Sequence, residues 1–222
     1  LLLRGEGGRG RRPCPRAALG PSGAAPATGG CYPGRMAQPR PPSPGVATVA
    51  VAVRRLGAAD AAAHRDLRLE GLAGAPEAFG AAWEEEEARP LAWFAERLER
   101  NAVFGGWAGG DAATMGGVAG LLVPEAAKLR HKGVLWGLYV RPRARGAGLG
   151  AALVARVLEH ARGVVEEVRL SVVASNAAAV RLYEAAGFER YGLERRALKV
   201  AGRHHDEALM AVRFGGSSPG GG

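Results

Sequence analysis

The sequence predicts an α/β fold built on a mostly antiparallel sheet of seven strands. Three observations carry this expectation. Short alternating apolar runs recur between residues 48 and 214, amphipathic helical stretches interrupt them, and two joins, Gly-Gly-Asp at 109–111 and Ala-Gly-Arg at 201–203, are tight enough to make hairpins. No internal repeat divides the chain.

Residues 48–54 (TVAVAVR) alternate β-branched and small side chains and read as the first strand. Residues 57–72 (GAADAAAHRDLRLEGL) read as a helix, with Asp60 near its start and Leu67, Leu69 and Leu72 as apolar positions. Pro90 fits the first turn of a second helix, whose Leu91, Phe94, Ala95 and Leu98 recur at i, i+3, i+4 and i+7; Asn101 ends it. Residues 102–108 and 113–123 make two strands of a meander, and 132–140 (KGVLWGLYV) the fourth strand. The helix after it carries Leu149, Leu153, Val154, Val157 and Leu158 on one face. Residues 166–175 are the fifth strand, and 176–187 a short helix with Asn176 as N-cap and Gly187 just past its end. Residues 188–200 and 204–214 close the chain as a hairpin.

The chain has 222 residues, enough for one sizeable core. Many of its 35 glycines and 14 prolines crowd the ends. Residues 1–45 show neither helical nor strand periodicity and are expected to be a disordered Gly/Pro/Arg-rich extension, residues 46–214 the folded domain, and residues 215–222 a disordered tail. The first methionine is Met36, which suggests that residues 1–35 are an upstream extension; an arginine-rich transit peptide is the rival reading. Seven arginines against one glutamate in residues 1–45 supply +6 of the formal +9, leaving +3 on the rest. A domain so nearly balanced has no electrostatic footprint for nucleic acid, so none is expected as a partner. Both cysteines, Cys14 and Cys31, lie in the extension, which leaves the domain without a disulfide framework or cysteine metal site. No secretory or membrane-spanning apolar run is present, and a cytoplasmic protein without a membrane partner is expected.

The loop RPRARGAGLG at 141–150 joins the fourth strand directly to a helix. Backbone N–H groups of a glycine-rich turn that feeds a helix form a concave set of donors, reinforced by the helix dipole, and suit an anion such as phosphate. A flexible connection with solvated arginines is the plainer alternative. A Walker loop is excluded, because it needs Gly-Lys-Ser/Thr where this chain has Gly150-Ala151-Ala152. A dinucleotide fingerprint needs G-x-G-x-x-G directly after the strand, and here the spacing is Gly146-x-Gly148-x-Gly150.

A strand ending in Val140, then Arg145-x-x-Gly148-x-Gly150 opening a helix, resembles the acyl-CoA pyrophosphate loop of the GNAT superfamily of N-acetyltransferases. The frame Arg143-x-x-Gly146-x-Gly148 also fits, but spacing from Val140 favours the first. SNAAAVRLYEAAGF at 175–188 is similar to the family's downstream signature, and LRLEGLAGAPEAFG at 67–80 to its opening helices, so the resemblance covers residues 49–214. It implies a mixed sheet splayed between strands 4 and 5, acetyl-CoA as co-substrate, no metal, and a primary amine, small or peptidic, as acceptor. A homodimer is compatible with it. Leu138, Tyr139 and Val140 would offer backbone groups to the pantetheine arm. Arg145, Gly146, Ala147, Gly148, Leu149, Gly150 and Ala151 would cradle the pyrophosphate. Asn176, besides capping its helix, would touch the cofactor.

The implied chemistry is attack of a neutral amine on a thioester through an oxyanion, with thiolate leaving. Tyr183, seven residues beyond Asn176, matches the family's donor to the sulfur; its plainer reading is an aromatic on the buried stripe of a helix. A phenol near pKa 10 protonating a thiolate near 8.5 works about 2 kcal/mol uphill, so Tyr183 is expected only to hydrogen-bond the sulfur unless its pKa is lowered. Members that acetylate an N-terminal alanine of a ribosomal protein carry a glutamate five residues before the signature Asn. Here that position is Ser171, which leaves the base unassigned, with Glu207 on the last strand as a candidate. A weak base favours an α-amine near pKa 7.8 over a lysine near 10.4. The alternative function is a non-catalytic acyl-CoA sensor of the same fold, and a further one binds nucleotide without coenzyme A. Glu84 to Glu87 reads as a solvated face, His204-His205 lacks partners at metal spacing, and Trp107 and Trp136 read as core or groove wall.

Overall fold

The computed structural model describes residues 50–109 and 114–215. The expected extension at 1–45, all of the tail but Gly215, and residues 110 and 111 of the first turn lie outside the described residues.

Strands β1 (Val51–Arg55), β2 (Ala102–Ala108), β3 (Gly117–Leu122), β4 (Lys132–Val140), β5 (Glu167–Val173), β6 (Glu189–Val200) and β7 (Arg203–Arg213) form one sheet in the order β1-β2-β3-β4-β5-β7-β6. Every pairing is antiparallel except β4 with β5, which run parallel because the intervening chain crosses over through a helix. Helices α1 (Ala61–Gly74), α2 (Trp83–Glu87) and α3 (Leu91–Arg100) precede β2; α4 (Leu149–Arg162) and α5 (Ala177–Ala185) flank β5 in sequence. The seven-stranded mixed sheet with flanking helices is the fold expected.

Alternation along the strands sorts the core into two clusters. On β2, Ala102 and Phe104 join Leu149, Leu153, Val154 and Val157 of α4; Val103, between them, joins Leu67 and Leu72 of α1 with Phe94 and Leu98 of α3. Each fully buried aliphatic chain contributes about 1.5–3 kcal/mol.

Three local differences from the sequence reading have physical causes. The first helix begins at Ala61 rather than residue 57, after a 3-10 turn at Ala58–Asp60. Asp60 anchors that turn: it accepts from the Gly57 amide at 3.0 Å and from both terminal nitrogens of Arg54 at 2.7 and 2.9 Å. Helix α3 buries Phe94 and Leu98 but leaves Leu91, at its first position, exposed. The four-glutamate run is not wholly a solvated face: it folds as α2, and Glu86 is buried within it.

Candidate active site

Strand β4 does two things that its alternating sequence conceals. It pairs with β5 only at Lys132, Gly133 and Val134, opposite Glu167, Val168 and Arg169, and beyond that the two strands diverge. It also bulges: Trp136 pairs with Gly120 and Tyr139 with Val118, so one extra β4 residue is accommodated at Gly137, whose φ of +66 is a left-handed conformation suited to glycine. The bulge changes the phase of the strand. Trp136 and Tyr139, three apart, both join the α1–α3 core, while Leu138 and Val140 pack toward α4.

The loop after β4 begins with a 3-10 turn, Pro142–Ala144, and Gly146 and Gly148 then take φ values of +80 and +79. Gly148 is the N-cap of α4, and the first amide to close onto it is that of Ala152, at 3.0 Å. The amides of Leu149, Gly150 and Ala151 therefore stand free of helical partners at the positive end of the α4 dipole. A side chain added at Gly146 or Gly148 would meet nothing within 4 Å, so the loop is open outward. Leu149 turns inward to the core. Arg145 folds back, its Nε donating to Val140 O at 3.0 Å. Tyr139 is buried and donates from its hydroxyl to Glu70 at 3.2 Å, and Glu70 also accepts from Arg141 Nε at 2.7 Å.

Asn176 caps α5, its Oδ1 accepting from the Ala179 amide at 3.1 Å. Tyr183 lies on the buried stripe of that helix, edge-on to Phe188 at 5.7 Å. Burial pushes its pKa up, so the phenol stays protonated throughout the working pH range.

On the α1–α3 side, at the divergence of β4 and β5, a groove of about 540 Å³ opens. Trp136 and Gly137 of β4, Ser171 of β5 and Glu207 of β7 line its sheet side; Phe79, Trp93 and Arg97 line its helical side. Continuing the β4–β5 register past Val134 sets Trp136 opposite Ser171 across the gap. Ser171 and Glu207, separated by 36 positions in the chain, thus come to one surface because β7 inserts beside β5.

Behind this wall is a charge cluster that sequence reasoning missed. Arg68 donates to both oxygens of Glu86, at 2.9 and 2.8 Å, and Arg97 adds a bond at 3.2 Å. Burial opposes ionisation of Glu86, but the two arginines hold its pKa below the ordinary carboxylate value. His64, one turn before Arg68, is buried against Phe94 with Nδ1 unpartnered. Burial first, then the charges of Arg97 and Arg68, lower its pKa to about 4, so it is neutral at pH 7. The i, i+4 spacing of His64 and Arg68 inside an apolar helix stripe was the available signal; Glu86, the partner of Arg68, looked like one surface acid among four.

Residues 70–188 match the Acetyltransferase (GNAT) family. The chain belongs to the GNAT acetyltransferase family. Over 63 residues it is 44% identical to the N-alpha-acetyltransferase RimI of Mycobacterium tuberculosis, covering 28% of this chain and 39% of that protein. Over 80 residues it is 38% identical to the [ribosomal protein bS18]-alanine N-acetyltransferase of Salmonella typhimurium, covering 35% and 53%. The chain thus spans between about two fifths and half the length of these curated relatives. Among solved structures, a GNAT family acetyltransferase from Streptococcus pneumoniae superposes with a TM-score of 0.64 at 20% identity, covering 74% of this chain and all of that one. A GNAT superfamily phosphinothricin acetyltransferase from Sinorhizobium meliloti, in complex with AcCoA, gives 0.64 at 20% identity, covering 76% and 89%. These likenesses establish that the splayed seven-stranded sheet is the family's fold. Among the described residues no helix is long and apolar enough to cross a membrane, and no group of three or more potential ligand side chains could hold a metal ion.

Proposed function

We propose that this GNAT domain, residues 46–214, transfers an acetyl group from acetyl-CoA to the nitrogen of a primary amine, a small molecule or a protein α-amine, by direct transfer in the cytoplasm. The observation that supports it best is that the free amides at the head of α4 follow directly on the run of β4 that has no partner on its β5 side, which adjoins the groove through the gap in the sheet. The open glycine loop leaves room for a pyrophosphate, so the residues present fit the co-substrate.

In this reading Arg145 and the stretch Gly146 to Ala151 hold the pyrophosphate, the β4 backbone at Leu138, Tyr139 and Val140 pairs with the pantetheine arm, and Asn176 contacts it while capping α5. Arg145 must first release the Val140 carbonyl. Bound acetyl-CoA supplies an acyl carbon activated as a thioester. The acceptor nitrogen forms its bond to that carbon as the carbon–sulfur bond breaks, the sulfur keeping the electron pair. Tyr183, protonated, donates a hydrogen bond toward the departing sulfur, and the ammonium proton leaves through Glu207 or water at the groove. A non-catalytic acyl-CoA sensor is the second reading, favoured by Ser171 at the position where relatives of one kind carry their base.

The test is thiol release from acetyl-CoA across a panel of amines, with the wild-type chain and Tyr183→Phe. Release with one amine class that falls in the variant supports the transferase. Binding of acetyl-CoA without release from any amine supports the sensor.

A further inference from the structure

The groove is electrically two-sided. Arg68 and Arg97 bring two guanidinium charges to a single carboxylate, Glu86, and neighbouring His64 is neutral, so one positive charge on the helical wall is uncompensated. Arg68 is spent: its side chain is 6% exposed, grips Glu86 at two points and lies over the ring of Phe79. Arg97 is the member that keeps access, with its side chain 23% exposed on the groove surface. One of its nitrogens, Nη1, meets Glu86, and no acceptor among the described residues takes its other N–H groups. Its guanidinium carbon lies over two indoles, 4.2 Å from the ring centre of Trp136 and 4.9 Å from that of Trp93. A planar, fixed, partly desolvated fork with spare donors is the arrangement that receives a carboxylate.

The opposite wall has the other sign. Glu207 lines the groove from β7, and its directly paired neighbour on β6 is Glu194, a like charge across the ladder that deepens the negative potential there. At the rim Arg100 and Glu96, both exposed, offset one another.

We propose that the acceptor is an amine that also carries a carboxylate, seated with its carboxylate on Arg97 and its amino group toward Ser171 and Glu207 at the gap between β4 and β5. This rests on the transferase reading and narrows it. An acidic amino acid and a peptide with an acidic residue near its N-terminus share this chemistry.

The experiment compares amines that differ only by carboxylate against carboxamide: the α-amide of glutamate against the α-amide of glutamine, and N-terminally free peptide amides with glutamate or glutamine at the second position. Initial rates of thiol release from acetyl-CoA are read on the full chain, on Arg97→Gln and on Arg97→Lys. On the wild type the carboxylate member of at least one pair should have the higher kcat/KM by about tenfold, carried by KM. The free and peptide pairs tell which source the groove serves. The preference should fall toward unity in Arg97→Gln and be partly kept in Arg97→Lys, whose ammonium retains the charge without the fork. The wild-type pairs decide the matter even where a variant fails to fold. Release from both members at equal rates, or a preference that survives Arg97→Gln in a folded protein, overturns the inference and leaves the transferase standing. Release from no amine overturns both.

Discussion

Arg68 and Glu86 form a two-point ion pair, Nε to Oε2 at 2.9 Å and Nη2 to Oε1 at 2.8 Å, with each side chain only 6% exposed. It ties α1 to α2, a five-residue helix with little apolar surface of its own. Glu86→Gln would leave the buried Arg68 and the part-exposed Arg97 without a counter-ion, at a cost of about 3 kcal/mol in unfolding free energy. Gln at Glu84 or Glu85 should cost under about 0.5 kcal/mol. Urea unfolding of the three variants checks this, and equal losses would contradict the assignment.

His64 makes stability depend on pH. Its pKa is about 4 in the fold against 6.5 ordinarily, so between those values the unfolded chain binds the extra proton. The stabilisation is complete above pH 6.5, declines as pH falls toward 4, and levels off below; the whole effect is about 3–3.5 kcal/mol. His64→Leu should remove that part of the slope and, by deleting an unpartnered Nδ1, cost little at pH 7. Denaturation midpoints at pH 4.5 and 7 for both chains give the answer. The same slope in the two would show that His64 titrates freely.

Tyr183→Phe should reduce kcat about a hundredfold while the fold keeps its melting temperature within a few degrees. Because burial raises the phenol's pKa, the wild-type rate should show no alkaline limb from this residue below pH 10. An unaltered kcat in the variant would remove Tyr183 from the chemistry.

Gly148→Ala forces a side chain into φ +79 at the N-cap of α4. The strain is about 1 kcal/mol. Its relief by turning the first helical amides should weaken acetyl-CoA binding about fivefold, measurable by calorimetry. Gly163→Ala, at the other end of the helix with a φ of −90, should leave the binding as it is.

Among acceptors of otherwise equal shape, α-amines should react faster than lysine ε-amines. Deprotonation at pH 7 costs about 1 kcal/mol for the former and 4–5 for the latter, and Ser171 offers no base. Raising the pH from 7 to 9 should narrow the difference; faster lysine turnover at pH 7 would refute it.

The seven strands and the long helices were legible because period-two and period-3.6 patterns are local, and the loop at 141–150 because its glycines and its helix are contiguous. The α2 segment was not, since a five-residue helix of four acids owes its place to Arg68 and Arg97, residues 18 positions before and 11 after Glu86. The groove was half legible. Ser171 and Glu207 could be named, but their meeting depends on β7 lying beside β5 rather than beyond β6. Arg97 gave no sign at all, because an arginine at an ordinary helical position reveals its stacking on Trp93 and Trp136 only when the sheet is assembled.

The extra residue at Gly137 has an evolutionary consequence. Point substitutions on β4 alter one face of the sheet at a time, Trp136 on one side and Leu138 or Val140 on the other. A single-codon deletion at Gly137 would remove only the extra residue: Leu138 would stand opposite Ala119, Tyr139 would keep its place opposite Val118, and its hydroxyl would still face Glu70. The bulge thus lets the strand lose one residue without turning a side chain over, so length at this position should be freer to drift than side-chain identity around it.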